Sequence, residues 1–176
     1  FKYISTMHGD EPVGTEMMLE LIEDLLQGYG SDSRLTQLMN DVEMHFMPLM
    51  NPDGNQAGTR SNAYGVDLNR DFPDPYVDPV NTPTGRAAET AAVMNWSAGK
   101  DFDLSVNFHT GALVVNYPFD TNSSGSSVYT ATPDDDFMIE ISEDYSSANS
   151  PMWNGSFNNG ITNGADWYAI SGGMQD

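Results

Sequence analysis

Three residues of this sequence have the side chains and the spacing of a catalytic metal site. His8 and Glu11 lie three positions apart, and His109 follows much later within Asn107-Phe108-His109-Thr110-Gly111. Two imidazoles and one carboxylate suit Zn²⁺, and three protein ligands leave a fourth position open for water. One carboxylate against a doubly charged ion leaves net positive charge, so the metal can lower the pKa of its water to ~7 and polarise a carbonyl group. The predicted chemistry is amide hydrolysis at one zinc ion.

Two predicted strands deliver these ligands. Residues 1–7 predict a strand that delivers His8 to its carboxyl end, and Glu11 opens a helix whose first turn suits Pro12. Residues 103–108 predict the strand that presents His109. Ligands in open α/β sheets lie beyond the carboxyl ends of strands, so both segments favour a shared site. The alternative is that both histidines are structural.

The rest of the sequence alternates between strand and helix patterns. His45 lies among bulky residues within a predicted strand, and we interpret it as structural. We predict an α/β fold with a mixed, largely parallel central sheet flanked by helices. The predicted segments are a helical turn at 34–40, a strand at 42–49, a turn at 51–54, a long ordered loop at 55–83, a helix at 89–96, a strand at 113–117 and a helix at about 134–145.

Composition narrows the function classes. The chain has 176 residues with 39% hydrophobic residues, which suits one domain. Twenty-six acidic residues against six basic ones give a net charge of −20, which argues against nucleic acid or an anionic membrane as partner. There is no cysteine, no apolar run of the ~20 residues that a membrane span needs, and no visible signal peptide. Because Phe1 falls inside a predicted strand and Asp176 follows a Gly-Gly turn, we expect the sequence to be truncated at both ends.

Several motifs, in order along almost the whole chain, resemble the zinc metallocarboxypeptidases, and in particular the carboxypeptidase N/E/D/M branch. The chain would then be a partial catalytic domain spanning residues 1–176. The motifs are His8-x-x-Glu11, Asn51-Pro52-Asp53-Gly54, Thr59-Arg60, Gly65-Val66-Asp67-Leu68-Asn69-Arg70-Asp71-Phe72-Pro73, Phe108-His109-Thr110-Gly111, Asn163-Gly164-Ala165-Asp166-Trp167-Tyr168 and Gly172-Gly173-Met174-Gln175-Asp176.

The resemblance implies roles around the metal. His8, Glu11 and His109 would bind one Zn²⁺, and Asp67 would accept a hydrogen bond from the far nitrogen of His8 and so fix its tautomer. Arg60 would polarise the scissile carbonyl and stabilise the oxyanion, a role that suits a permanently charged guanidinium. The alternative for Arg60 is an ordinary surface arginine.

The resemblance also implies substrate contacts. Asn69 and Arg70 would hold the terminal carboxylate of a peptide or protein, and Tyr168 would close over the substrate and donate its phenolic hydrogen bond. Asp120 occupies the position that carries an aspartate in the branch that removes C-terminal Lys or Arg, which implies a basic preference. The alternatives are a turn with a salt bridge for Asn69 and Arg70, a packing aromatic for Tyr168, and a turn residue for Asp120.

The family's general base is missing from these residues. It is a glutamate on a strand after the Gly-Gly-Met-Gln-Asp segment, and the sequence stops at Asp176. We expect the protein to continue past Asp176. Without a general base to accept the proton from water, the reaction rate would fall by ~10²–10⁴-fold.

Two other functions stay open. One is an N-acyl amino acid amidohydrolase of the aspartoacylase and desuccinylase group, which shares His-x-x-Glu and Asp-Leu-Asn-Arg. The other is a non-catalytic module that keeps the zinc and binds peptide C-termini. The first choice is a zinc exopeptidase, and the resemblance implies a secreted or periplasmic location.

Overall fold

The computed structural model describes all residues from Phe1 to Asp176 and divides them into two compact units. Unit 1 comprises Phe1–Leu68 and Pro83–Thr110, and unit 2 comprises Asn69–Thr82 and Gly111–Asp176. The elements of unit 1 are β1 (Lys2–Ser5), α1 (Val13–Gly28), α2 (Ser33–Asp41), β2 (His45–Met47), α3 (Pro52–Ala57), α4 (Ala88–Ala98) and β3 (Ser105–Phe108). Those of unit 2 are β4 (Val115–Tyr117), α5 (Asp135–Ser147), α6 (Ser150–Trp153), β5 (Ile161–Asn163) and α7 (Gly164–Trp167). Short 3₁₀ turns lie at Leu68–Arg70 and Asn158–Gly160.

Unit 1 is built around a three-stranded parallel sheet in the order β2-β1-β3. Tyr3 of the central strand stacks on Phe46 of β2, with ring centroids 5.0 Å apart, and on Phe108 of β3 at 6.2 Å. Ile4, the next residue, points to the opposite face of the strand and is fully buried. The central strand therefore contributes to a packed layer on each side.

Helices cover both faces of this sheet. Gly14 of α1 lies so close to Ser5 that a Cβ there would overlap the Ser5 hydroxyl and lie 2.6 Å from Phe108 Cβ. On the other face, Lys2 Nζ donates to Ser97 Oγ of α4 at 3.3 Å. Because Lys2 and Ser5 are separated by an odd number of positions, α1 and α4 lie on opposite faces. Unit 1 thus has a helix–sheet–helix arrangement.

Unit 2 contains a separate two-stranded parallel sheet of β4 and β5. Its buried apolar residues include Tyr117 of β4, Met152 of α6 and Ala165 of α7. The buried amide of Asn163 caps α7 by accepting from Asp166 N–H and donates to Pro118 O at 3.1 Å. This side chain ties the end of β5 to the segment that follows β4.

The predicted fold class is confirmed, although the strands form two sheets and every named strand pair is parallel. The predicted turn at 51–54 is wrong, because Asn51 Oδ1 accepts from Gly54 N–H and so caps the helix α3, with Pro52 in its first turn. The helical turn predicted at 34–40 is a helix one residue longer at each end, the nine-residue α2, which Asp32 caps. The strand predicted at 42–49 is confined to His45–Met47, and β5 is an additional strand. None of the helices combines the length and the apolar composition that a membrane span requires.

Candidate metal centre

The connection between β1 and α1 brings His8 and Glu11 together through an unusual backbone conformation. Thr6 has φ of 52°, which is costly for a β-branched residue and is often found where a site imposes a geometry. Its hydroxyl contacts Glu11 O at 3.1 Å and Thr15 Oγ1 at 2.7 Å. These contacts stabilise the turn, in which the side chains of His8 and Glu11 face the same point.

Potential ligand atoms of three residues converge at that point. His8 Nδ1 lies 3.1 Å from Glu11 Oε1 and 3.1 Å from His109 Nδ1, and His109 Nδ1 lies 2.9 Å from Glu11 Oε2. A tetrahedral ion with bonds of 2.0–2.1 Å holds its ligand atoms about 3.3 Å apart. The observed separations are close to that spacing. His8, Glu11 and His109 are also the one group of potential metal ligands whose donor atoms all lie within 4.8 Å of one another.

The hydrogen bonding of His8 fits a metal ligand. Its Nε2 lies 3.0 Å from Asp67 Oδ1, and because a carboxylate only accepts, a cation bound at Nδ1 would leave the ring proton on Nε2, where Asp67 accepts it. Nδ1 faces Glu11 and His109, so in that tautomer its lone pair would share the cation with both residues. A histidine whose second nitrogen is bound to a carboxylate is the usual arrangement at metal sites.

The carboxylate of Glu11 is held in its ionised form. Burial would raise its pKa, but hydrogen bonds with His109, His8 and the backbone N–H of Thr110 outweigh burial and hold the pKa well below its usual value. Thr110 N–H donates to Glu11 Oε2 at 3.0 Å. Glu11 is therefore available as an anionic ligand across the ordinary pH range.

Arg60 lies beside this group. Its Nε donates to Asp67 Oδ2 at 2.8 Å, and its Nη1 is 3.5 Å from Glu11 Oε1. Its side chain is 43% exposed, so part of the guanidinium faces solvent beside Glu11. With neutral imidazoles, two carboxylates and one guanidinium, the cluster has a charge of about −1, which favours a divalent cation.

The four remaining predicted site residues lie in unit 2. Asn69 accepts from Met174 N–H at 2.9 Å, and Arg70 Nη1 donates to Asn69 O at 2.6 Å. Asp120 is buried and accepts from Asn116 Nδ2 at 3.0 Å. Tyr168 is 47% exposed, and its ring packs edge-on against Trp167. The structure thus brings five of the nine predicted residues together around the ligand group, His8, Glu11, Asp67, His109 and Arg60.

His45, interpreted as structural, lies away from the ligand group. Its ring packs edge-on against Trp96 and Phe102, at centroid distances of 5.8 and 5.2 Å. Its Nε2 contacts Glu43 Oε1 at 2.6 Å.

Sequence reasoning missed two supporting groups. Thr110 contributes a backbone N–H to Glu11, which no side-chain pattern reveals. Asn51 is fully buried, and its Nδ2 donates to Met7 O at 3.1 Å and to Arg60 O at 3.3 Å. The Asn-Pro motif points to this residue only weakly, because Asn51-Pro52-Asp53-Gly54 is equally typical of a turn. Asn51 therefore links the backbone just before His8 to the backbone of Arg60.

The sequence profile of the family described as "Zinc carboxypeptidase" matches residues 1–176. The chain belongs to this zinc carboxypeptidase family. It is 46% identical to carboxypeptidase D of Mus musculus over the whole chain, which is 14% of that protein's length. It is 43% identical to carboxypeptidase SOL1 of Arabidopsis thaliana and 40% identical to carboxypeptidase M of Mus musculus, covering 36% and 43% of their lengths.

The solved structures support the fold. Thrombin-activatable fibrinolysis inhibitor aligns with the whole chain at a TM-score of 0.78 and 17% identity, and the match covers 52% of that protein. The bovine form, in complex with tick carboxypeptidase inhibitor, aligns at a TM-score of 0.74 over 98% of this chain and 64% of its own. This zinc carboxypeptidase chain spans less than half the length of carboxypeptidases D, SOL1 and M.

Proposed function

We propose that this chain forms the metal-binding and substrate-binding part of a zinc-dependent exopeptidase that removes the C-terminal residue of peptides or proteins. The proposal rests on the convergence of His8 Nδ1, Glu11 and His109 Nδ1 within hydrogen-bond distance of one another. Membership of the zinc carboxypeptidase family supports it.

The residues of unit 1 have separate roles in metal binding and in stabilising charge at the scissile bond. Bound zinc would supply a Lewis acid that polarises the peptide carbonyl and lowers the pKa of water. Asp67 fixes the tautomer of His8 and leaves Nδ1 free for the metal. Arg60, half exposed beside Glu11, supplies a permanent positive charge for the oxyanion that develops on the carbonyl.

The residues of unit 2 recognise the substrate. We assign Asn69 and Arg70 to the terminal carboxylate, because an amide and a guanidinium give charge-assisted hydrogen bonds to that group. Tyr168, with its partly exposed ring, covers the bound substrate and donates a hydrogen bond. A requirement for a free carboxylate explains why such an enzyme acts at chain ends.

We further propose a preference for C-terminal Lys or Arg, which depends on Asp120. Its carboxylate is buried, and Gly164 approaches so closely that a Cβ there would overlap Asp120 Oδ1. Arg70 is the one Lys or Arg in unit 2, and we assign it to the terminal carboxylate. A cationic substrate side chain would therefore meet an anionic environment.

The test combines metal analysis with cleavage assays on the full-length protein. We expect one zinc per protein and release of single residues from peptides that end in Arg or Lys, faster than from peptides that end in Phe or Glu. Glu11→Ala should abolish zinc binding. Arg60→Ala should lower kcat far more than it raises KM, because its charge acts on the transition state.

Three outcomes would overturn parts of the proposal. Unchanged zinc content in Glu11→Ala would remove the ligand assignment. Release of an acid from N-acyl amino acids with peptides untouched would identify an acylamino acid hydrolase. Binding of zinc and peptides without cleavage would identify a peptide-binding module.

We also propose a secreted or periplasmic location, which the resemblance to the carboxypeptidase N/E/D/M branch supports. Fractionation of the source cells, with the protein detected by antibody, tests it. Recovery in the cytoplasm alone would contradict it.

A further inference from the structure

The segment that carries Asp120 is held by backbone hydrogen bonds from several directions. Asp120 O accepts from Ile170 N–H at 2.9 Å, and Phe119 O accepts from Ala165 N–H at 2.8 Å. The N–H of Asp120 donates to Asp176 Oδ1 at 2.7 Å, across 56 positions of sequence. Asp176 is thus the side chain that fixes the backbone at the residue to which we assign substrate preference.

The carboxylate of Asp176 is in an unfavourable place for a charge. Its Oδ2 is buried without a hydrogen-bond partner. Burial, followed by the charges of Asp120 and Asp74, raises its pKa to about 7, although the N–H groups of Asp120 and Thr121 favour the ionised form. The charged groups that face it, Asp120 after β4 and Asp74 in the loop of residues 74–78, are both acidic.

We propose that Asp176 is a positioning residue for the substrate side-chain pocket: it orients Asp120 through the backbone and adds a second negative charge beside it when ionised. The inference rests on the proposed preference for basic C-termini. A cationic side chain bound near Asp120 would be attracted by both carboxylates. The preference for Arg should therefore grow as pH rises and Asp176 loses its proton.

The test measures the ratio of kcat/KM for a peptide ending in Arg to that for a peptide ending in Phe, in the full-length zinc-loaded protein. The ratio cancels pH effects at the metal, which both peptides share. For the unaltered protein we expect the ratio to rise about three- to tenfold between about pH 6 and pH 8. Asp176→Asn keeps an oxygen that can accept from Asp120 N–H but removes the charge, so its ratio should stay flat at the low-pH value.

Two further variants separate position from charge. Asp176→Ala removes the anchor as well, and it should lower the ratio at both pH values through a higher KM for the Arg peptide. Asp136→Asn neutralises an exposed carboxylate of α5 in the same unit, and its ratio should match the unaltered protein within twofold. Circular dichroism verifies folding, and the near-isosteric Asp176→Asn keeps the test available if the alanine variant fails to fold.

The outcomes distinguish this inference from the proposed function. If Asp120→Asn abolishes the preference for Arg while Asp176→Asn keeps both the ratio and its rise with pH, Asp176 has no such role and the function stands. If Asp120→Asn leaves the ratio unchanged, the basic preference itself fails.

Discussion

Removal of the Asp67 carboxylate should weaken zinc binding even though Asp67 is not a ligand. His8 is 2% exposed, and its Nε2 has Asp67 Oδ1 as partner at 3.0 Å. Asp67→Ala leaves this buried N–H without an acceptor, which costs about 1–3 kcal/mol unless the ring turns. A turned ring would direct Nδ1 away from Glu11 and His109. Loss of such a partner usually lowers metal affinity by 10–100-fold, or roughly 1.4–2.7 kcal/mol.

The assay is competition for zinc with a chelating fluorescent dye at fixed neutral pH. Asp67→Asn retains an oxygen that can accept from His8, so its loss of affinity should stay below about tenfold. Asp67 also pairs with Arg60 at 2.8 Å, but the half-exposed guanidinium makes this ion pair a minor contributor to stability. Asp24→Ala, which removes an exposed carboxylate of α1, is the matched control. Equal affinity of Asp67→Ala and the control, in folded protein, would refute the role of Asp67.

Three further predictions concern stability, each measured by urea unfolding. Gly14→Ala should cost about 1–3 kcal/mol, because the new Cβ would lie 2.6 Å from Phe108 Cβ; an unchanged midpoint would show that α1 can move freely. Asn51→Ala should cost about 2–3 kcal/mol, since it removes the cap of α3 and the bond to the carbonyl of Met7, and a loss below 0.5 kcal/mol would contradict this. Asp176 has a folded pKa of about 7 against an ordinary 3.8, so the native state keeps a proton that the unfolded chain releases, and stability should fall as pH rises from about 4 to 7. Partial exposure of Asp176 limits this fall in stability to about 2 kcal/mol, and Asp176→Asn should abolish the fall. Parallel profiles of stability against pH for the unaltered protein and Asp176→Asn would argue against the raised pKa.

The cluster of His8, Glu11 and His109 could be predicted from sequence because its chemistry is local. His8 and Glu11 lie on one strand-to-helix connection, and His109 ends another predicted strand, so side-chain type and strand order were sufficient to suggest their meeting. The α/β class followed from the same alternation of strands and helices. The pattern could not predict that the backbone N–H of Thr110 donates to Glu11, because nearly every residue carries the same backbone N–H group.

Other features depended on context that a sequence does not carry. Asn51-Pro52-Asp53-Gly54 has the residues of a turn, yet the same side chain and proline also begin a helix, and only the packing of Asn51 against Met7 decides between them. The strand Ile161–Asn163 is three residues long and shows no alternation to detect. The contact between Asp120 and Asp176 joins segments far apart in the chain, and no periodicity predicts it.

The stack of Phe46, Tyr3 and Phe108 has a consequence for how unit 1 folds. One ring comes from each strand, so the row cannot form until segments about a hundred residues apart along the chain have met. Such non-local pairing makes folding slow, because loop-closure entropy is lost before the contacts form. The same pairing carries His109 to His8. Zinc added during refolding should therefore act late, by trapping chains whose sheet is already assembled, and should slow their unfolding more than it speeds their folding.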